Sequence, residues 1–317
     1  MRVLVTGGAG FIGSNLCEVL LAANHTVVAV DNLLTGDLRN VQSLLHHSQF
    51  SFIEAQTEDL PIVDVDAVFH LASPASPVGY GEHPLETLSA NSKGTWRVLD
   101  VCRQVGASFL MASTSEIYGD PLEHPQKESY FGNVDPIGPR SCYDEGKRFS
   151  EALTVAYREA YGVDTRIVRI FNCYGPRNGL EDGRMIPTFI RQALRGEPIT
   201  VFGDGSQTRS LCYVGDLVRG LEAALLTPGT CGGVYNLGNP DERTILEFAE
   251  LVKELCESKS SIVHRDGRPG EIAMRKPDIS RARNELHWAP MIDVREGVFR
   301  TINWARTELA ASVVASS

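Results

Sequence analysis

Arg2-Val3-Leu4-Val5-Thr6-Gly7-Gly8-Ala9-Gly10-Phe11-Ile12-Gly13 opens the chain, apolar residues at helical spacing follow from Asn15 to Ala23, and a second β-branched run, Thr26 to Val30, ends in Asp31. An apolar run that breaks into Gly-x-x-Gly-x-x-Gly and then turns helical predicts a strand, a tight turn, a helix and a second strand. Gly7 allows the turn, Gly10 lets the backbone approach a pyrophosphate, and Gly13 lets helix and strand pack closely. The helix N-terminus presents N–H groups and partial positive charge, so phosphates belong there. A carboxylate at Asp31 accepts hydrogen bonds from both ribose hydroxyls and repels a 2′-phosphate, so the unit reads as a site for NAD rather than NADP. A glycine triplet alone also occurs in ordinary turns. The order strand, triplet, helix, strand and acid carries the reading.

Outward from this unit, Asn32-Leu33-Leu34-Thr35-Gly36 is either a loop over the adenosine half of the cofactor or a plain surface loop. Phe50 to Glu54 is a third strand, and Ala67 to Ala72 a fourth, apolar on both faces as a central parallel strand is. His70 inside it reads as a satisfied core histidine rather than a catalyst. Ser73-Pro74-Ala75-Ser76-Pro77 cannot be a regular strand or helix and lies past a strand end, which makes it a candidate substrate loop. A helix from about Pro84 to Gly106, a strand Ser108 to Ala112, a helix Tyr143 to Tyr161 and a strand Thr165 to Phe171 follow. Strands alternating with helices predict an α/β fold, a Rossmann-type doubly wound parallel sheet.

From about Gly175 the pattern loosens: Pro187 to Arg195 reads as a helix, Ile199 to Phe202 as a strand, and Gly203-Asp204-Gly205 as a turn. Gly215 to Leu226 and Val234 to Leu237 return to the first sheet, and Thr244 to Glu257 and Val294 to Ala310 are helices capping the substrate side. The expected division is an NAD-binding domain over 1–174, its sheet completed by about 211–240. A smaller, discontinuous α/β substrate-binding domain takes 175–210 and 241–313. The small-residue end from Ala310 is expected to fray, with 314–317 as a tail.

Of 317 residues, 43% are hydrophobic and 22% charged, which suits a globular protein and excludes wholesale disorder. Forty acidic against thirty basic side chains give a formal charge of −10, and no Lys/Arg-rich run stands out, so nucleic acid and anionic membrane are not expected partners. The start directly in a strand leaves no room for a signal peptide, and no apolar run approaches the ~20 residues that span a bilayer, so a cytoplasmic protein is expected. Seven cysteines without a Cys-x-x-Cys pair argue against a disulfide framework or structural zinc. His46-His47 has no partner at ligand spacing, so no metal is expected.

Tyr143 and Lys147 stand four apart near a helix start, which puts both on one face. An ammonium beside the phenol lowers the tyrosine pKa and makes a base able to take a hydroxyl proton as hydride leaves the same carbon. Thr114-Ser115-Glu116 follows the fifth strand at the nicotinamide edge: Thr114 can bond the reacting hydroxyl, Ser115 is a neutral donor, and Glu116 can orient water or a sugar hydroxyl. A polar strand-end turn would look the same. Arg184, Arg209, Arg268 and Arg275 fall in the irregular second half, where a diphosphate-bearing substrate needs cations, although solvated arginines fit the same positions.

With these residues in hand, the chain resembles the extended short-chain dehydrogenases/reductases acting on nucleotide sugars, and within them the UDP-glucuronate decarboxylases (UDP-xylose synthases). The similar blocks run nearly end to end, among them His70 to Pro77, and Ser73-Pro74-Ala75-Ser76-Pro77 and Pro139-Arg140-Ser141-Cys142-Tyr143-Asp144-Glu145-Gly146-Lys147-Arg148 are highly specific. The resemblance implies oxidation at carbon 4 of the glucuronate, loss of the carboxylate, and hydride return, all on one tightly held NAD. It implies that Tyr143, Lys147 and Thr114 do the redox step while Ser115, Glu116 and Arg275 attend the decarboxylation. It also implies that Phe11, Ile12, Asn32, Thr35, Gly36, Gln56, Thr57, Leu71 and Ser73 join the glycines, Asp31, Tyr143 and Lys147 at the cofactor. Pro77, Asn172, Arg184, Gln207, Arg209 and Arg268 would meet the UDP-sugar, and two copies would pair through the helices beginning near Pro84 and Tyr143.

Three positions depart from that pattern. Ala55-Gln56 stands where the family has His-Asp, Ser89-Ala90-Asn91 where it has Lys-Thr-Asn, and Arg268-Pro269-Gly270-Glu271 is similar to the nucleotide-sugar dehydratases. The rival readings are a 4,6-dehydratase, whose family needs an acid where Ser115 stands, a 4-epimerase, whose family generally lacks a carboxylate at Glu116, and a non-catalytic NAD-binding regulator, which has no need of Tyr143 with Lys147.

Overall fold

In a computed structural model describing residues 1–267 and 274–315, the opening stretch forms β1 (Arg2–Thr6), α1 (Phe11–Ala22) and β2 (Thr26–Asp31). β3 (Phe50–Glu54), β4 (Ala67–His70), α2 (Pro77–Glu82), α3 (Pro84–Ser89), α4 (Thr95–Val105), β5 (Ser108–Thr114), α5 (Ser141–Tyr161) and β6 (Thr165–Ile170) follow. Next come β7 (Cys173–Tyr174), α6 (Met185–Arg195), β8 (Ile199–Phe202), β9 (Thr208–Ser210), β10 (Cys212–Tyr213), α7 (Val214–Leu226) and β11 (Val234–Leu237). β12 (Glu242–Thr244), α8 (Ile245–Leu255), β13 (Ile262–Arg265), α9 (Ser280–Leu286) and α10 (Val294–Ala315) complete the order.

Seven parallel strands form one sheet in the order β11-β6-β5-β4-β1-β2-β3, which is the doubly wound arrangement. Side chains alternate across a strand, so Val3, Val5, Val27, Ala29 and Phe69 pack on the face that α1 and α7 cover, while Leu4, Val28, Val68 and Phe109 pack on the face that α4 and α5 cover. The chain winds one way from β1 to β3 and the other from β4 to β6. The carboxyl ends of β1 and β4 therefore flank the crevice where such sheets bind ligands. Outside the sheet, β7 pairs with β10, β8 with β13, and β9 with β12.

The expected helix from Pro84 to Gly106 is interrupted by a π-turn at Ala90–Gly94. The widened turn frees the Asn91 carbonyl, which accepts the Ser150 hydroxyl at 2.5 Å and the Thr95 hydroxyl at 3.0 Å. Pro77, read as part of an irregular loop, instead begins α2. It occupies the first helical turn, where its missing N–H costs nothing, and the Ser76 hydroxyl caps that turn by accepting the Gly79 N–H at 3.0 Å. α10 continues to Ala315, since no Gly or Pro from Ala305 to Ala315 breaks a helix, and 316–317 of the expected tail lie outside the described residues. β5 runs two residues past Ala112 because β6 keeps pairing with it as far as Thr114 opposite Ile170. Among the described residues no helix is long and apolar enough to cross a membrane.

Candidate active site

A cleft of about 1500 Å³ runs across the carboxyl ends of β1, β4, β5 and β6. All fifteen residues assigned to the cofactor line it, from Gly7 and Asp31 through Gln56 and Ser73 to Lys147. Gly7 turns at φ +71°, and a Cβ there would lie 2.9 Å from the Ala72 nitrogen. A Cβ on Gly13 would run into the Gly7 carbonyl oxygen, and one on Gly36 would stand 2.7 Å from the Asp31 carboxylate. The backbone therefore forms a cradle that side chains would fill, at the positive end of α1. Asp31 accepts the Ala9 N–H at 3.0 Å and the Leu33 N–H at 2.9 Å, and burial raises its pKa above the usual carboxylate value. These residues fit a dinucleotide, with phosphates on the glycine turn and a ribose near Asp31.

His70 behaves as the sequence indicated. It is buried, bonded to the Thr6 hydroxyl at 2.8 Å and the Thr95 hydroxyl at 3.1 Å, and burial depresses its pKa to about 3, so it is neutral.

Tyr143 and Thr114 meet at their hydroxyls at the end of β5, and the Tyr80 ring stacks on Tyr143 at 5.3 Å between centroids. The expectation of a phenol pKa below its ordinary value is not met. Burial raises it, and the Lys147 ammonium donates to the Ala112 carbonyl at 2.9 Å, 5.9 Å from the Tyr143 ring centroid. Burial also lowers the Lys147 pKa to about 7, opposed by Glu151. Asn91, fully buried behind the wall, donates to the Ser73 hydroxyl at 2.9 Å.

Thr114 closes β5 and accepts the Glu116 N–H at 3.2 Å, which starts the short 3₁₀ turn Ser115–Tyr118 and leaves Ser115 and Glu116 at the cleft. Glu116 is gripped by two arginines: Arg275 pairs with Oε1 and Arg140 with Oε2. Arg275 was expected both among the cations a diphosphate would need in the cleft and, with Ser115 and Glu116, attending the decarboxylation. It pairs with Glu116 but does not line the cleft: it lies behind Glu116, buried, with its Nη2 donating to the Gly119 carbonyl at 3.0 Å, and burial together with Arg140 depresses its pKa to about 9. Its segment is fixed because Gln126 exchanges backbone and side-chain hydrogen bonds with Lys276.

Pro77, Asn172, Arg184 and Arg209, expected at the substrate, all line the cleft. Arg184 pairs with Asp182 at 2.8 Å and reaches the Ala75 carbonyl at 2.9 Å, tying the Ser-Pro loop to the second half of the chain. Gln207 does not reach the cleft wall: its amide is drawn to the Phe202 carbonyl at 3.4 Å, over Gly203. Arg268 and Glu271 lie outside the described residues. Among the described residues no three His, Cys, Asp or Glu side chains come together as a ligand set, and all seven cysteines are free thiols. Sequence reasoning missed Arg140 and Tyr80. Arg140 could have been found from its place three residues before Tyr143 in a quoted block, whereas nothing in the sequence marks Tyr80.

Residues 3–238 match the NAD dependent epimerase/dehydratase family. The chain is 47% identical to UDP-glucuronic acid decarboxylase 1 of Arabidopsis thaliana over 98% of its own length and 71% of that protein's. It is also 47% identical to UDP-glucuronic acid decarboxylase 1 of Danio rerio, over 97% and 73%. Among solved structures, the UDP-glucose 4-epimerase of Thermotoga maritima superposes with a TM-score of 0.89 at 29% identity, over 98% of this chain and 100% of that one. The UDP-glucuronic acid 4-epimerase of Bacillus cereus, in complex with UDP-glucuronic acid and NAD, superposes with a TM-score of 0.87 at 30% identity, over 97% and 100%. With its glycine cradle, its acid at the end of β2 and its Tyr143/Lys147 pair, the chain belongs to the NAD dependent epimerase/dehydratase family.

Proposed function

We propose that this protein converts UDP-glucuronate to UDP-xylose and carbon dioxide through a UDP-4-keto intermediate, with NAD regenerated in each cycle. The observation that carries the reading is Glu116, held by Arg275 and Arg140 beside the Thr114–Tyr143 hydroxyl pair. The relatives named as decarboxylases support it. Bound NAD would supply a two-electron acceptor that later returns the same electrons.

Tyr143 takes the proton of the sugar's 4-hydroxyl, with Thr114 orienting that hydroxyl and the Lys147 charge stabilising the phenolate. Carbon 4 as a ketone is β to the carboxylate. The electrons of the breaking carbon–carbon bond then move into an enolate, and the Tyr143 and Thr114 hydroxyls are the donors available to its oxygen. Ser115 and Glu116, backed by Arg275, attend the carbon that loses the carboxylate and is reprotonated. Arg184 and Arg209 serve the diphosphate, with Pro77 and Asn172 beside the sugar. In this reading residues 1–174 with the 211–240 return hold the cofactor, and 175–210 and 241–313 hold the substrate. Two copies pair through α4 and α5, which expose Trp96, Phe149, Val155 and Tyr161. The seven free thiols suit a reducing, cytoplasmic setting.

The superposition on epimerases favours a second reading, 4-epimerisation of the uronate. NMR of the sugar nucleotide formed from UDP-glucuronate separates the two: a UDP-pentose supports decarboxylation, and UDP-galacturonate supports epimerisation.

A further inference from the structure

Arg140 stands at the N-terminus of α5, in the turn that carries Tyr143, and its side chain is one-third exposed at the cleft wall. Its Nη2 is paired with Glu116, and its Nε lies 3.8 Å from the Asp144 carboxylate. Asp144 is buried, and its Oδ1 has no hydrogen-bond partner among the described residues. Arg275 holds the other oxygen of Glu116 from behind. The charged groups acting on Asp144 are Arg140, Arg275 and Glu145, and burial pushes its pKa up to about 6. Glu116, Asp144, Arg140 and Arg275 therefore form a cluster whose formal charges cancel.

On the reading above, the substrate's carboxylate sits one carbon from the hydroxyl that meets Tyr143, so it enters beside Glu116 as a further anion. It needs a cation with donors facing the cleft. Lys147 is committed to the Ala112 carbonyl, Arg275 is behind the wall, and Arg184 is engaged by Asp182 and the Ala75 carbonyl. Arg140 is the cleft-lining cation beside Glu116. A cation that gripped the carboxylate alone would stabilise the ground state and oppose its loss. A guanidinium already drawn by two acids recognises the charge without gripping it.

We propose that Arg140 is the residue by which this site distinguishes a uronate from a neutral hexose, and that Asp144, competing for the same guanidinium, sets how tightly the carboxylate is held.

The test uses the NAD-loaded protein, with dissociation constants for UDP-glucuronate and UDP-glucose measured by calorimetry on wild type, R140Q, R140K and D144N. R140Q is expected to weaken UDP-glucuronate by about tenfold or more, as for a lost charged hydrogen bond, while moving UDP-glucose by less than about twofold. R140K is expected to recover part of the loss. D144N is expected to tighten UDP-glucuronate alone and to slow carbon dioxide release at saturation. Equal weakening of both sugars in R140Q, or an unchanged ratio in D144N, overturns the proposal. Should R140Q fail to fold, the D144N ratio decides, because a structural role for Asp144 does not tighten one ligand selectively. Carbon dioxide release by wild type is followed in parallel: wild type that prefers UDP-glucuronate but releases none refutes the decarboxylase reading and leaves the binding ratios to judge Arg140.

Discussion

Lys147 gives its ammonium to the Ala112 carbonyl at 2.9 Å and stands 5.9 Å from the centre of the Tyr143 ring, so its influence on that phenol is electrostatic and acts at a distance. Its own charge is fragile, since burial lowers its pKa to about 7. Turnover is expected to fall as pH rises through about 7, and a pH profile of kcat checks this. Stability moves the other way. Between about 7 and 10.5 the unfolded chain binds the proton that folded Lys147 has released, so unfolding becomes harder as pH rises. Melting curves of Lys147→Met against wild type over that range should show part of this rise missing in the variant.

Tyr143→Phe removes the proposed base and the hydroxyl contact with Thr114 while preserving the stack with Tyr80. Turnover is expected to drop by about 10²–10⁴, with NAD still copurifying. Rate and bound nucleotide measured on one preparation check both halves.

Asp31→Ser removes the charge proposed to meet the ribose, which also accepts the Ala9 and Leu33 N–H groups. NAD affinity is expected to fall and NADP affinity to rise, so that the preference for NAD narrows by about tenfold or more. Titration with each cofactor measures it, and an unchanged ratio would remove Asp31 from ribose recognition.

Gly13→Ala drives a methyl group into the Gly7 carbonyl, whereas Gly81→Ala meets nothing within 4 Å. The first is expected to cost about 1–3 kcal/mol and cofactor affinity, the second almost nothing. Denaturant unfolding of the pair checks the contrast.

The sheet was legible because its signals are local. Short apolar runs gave β1 to β6 nearly in place, and the glycine turn with Asp31 gave the cofactor half of the cleft. What escaped is set by contacts distant in sequence. The π-turn at Ala90–Gly94 answers to Ser150, and the withdrawal of Arg275 behind Glu116 depends on Gln126 and Gly119. Spacing placed Tyr143 and Lys147 on one helix face but could not reveal that the Ala112 carbonyl claims the ammonium. Arg140 lay inside a block that was read for its tyrosine and lysine, and only its contact with Glu116 across the fold exposes it.

The central claim is that this site oxidises carbon 4 of a uronate and then expels its carboxylate. The most direct measurement follows UDP-glucuronate labelled at the carboxyl carbon, incubated with the protein and no added reductant. The account predicts one labelled carbon dioxide per UDP-pentose formed, with no net reduction of NAD, and loss of that release in Glu116→Gln. Label retained in the sugar nucleotide while its carbon 4 is inverted, or release at the wild-type rate in Glu116→Gln, would contradict it.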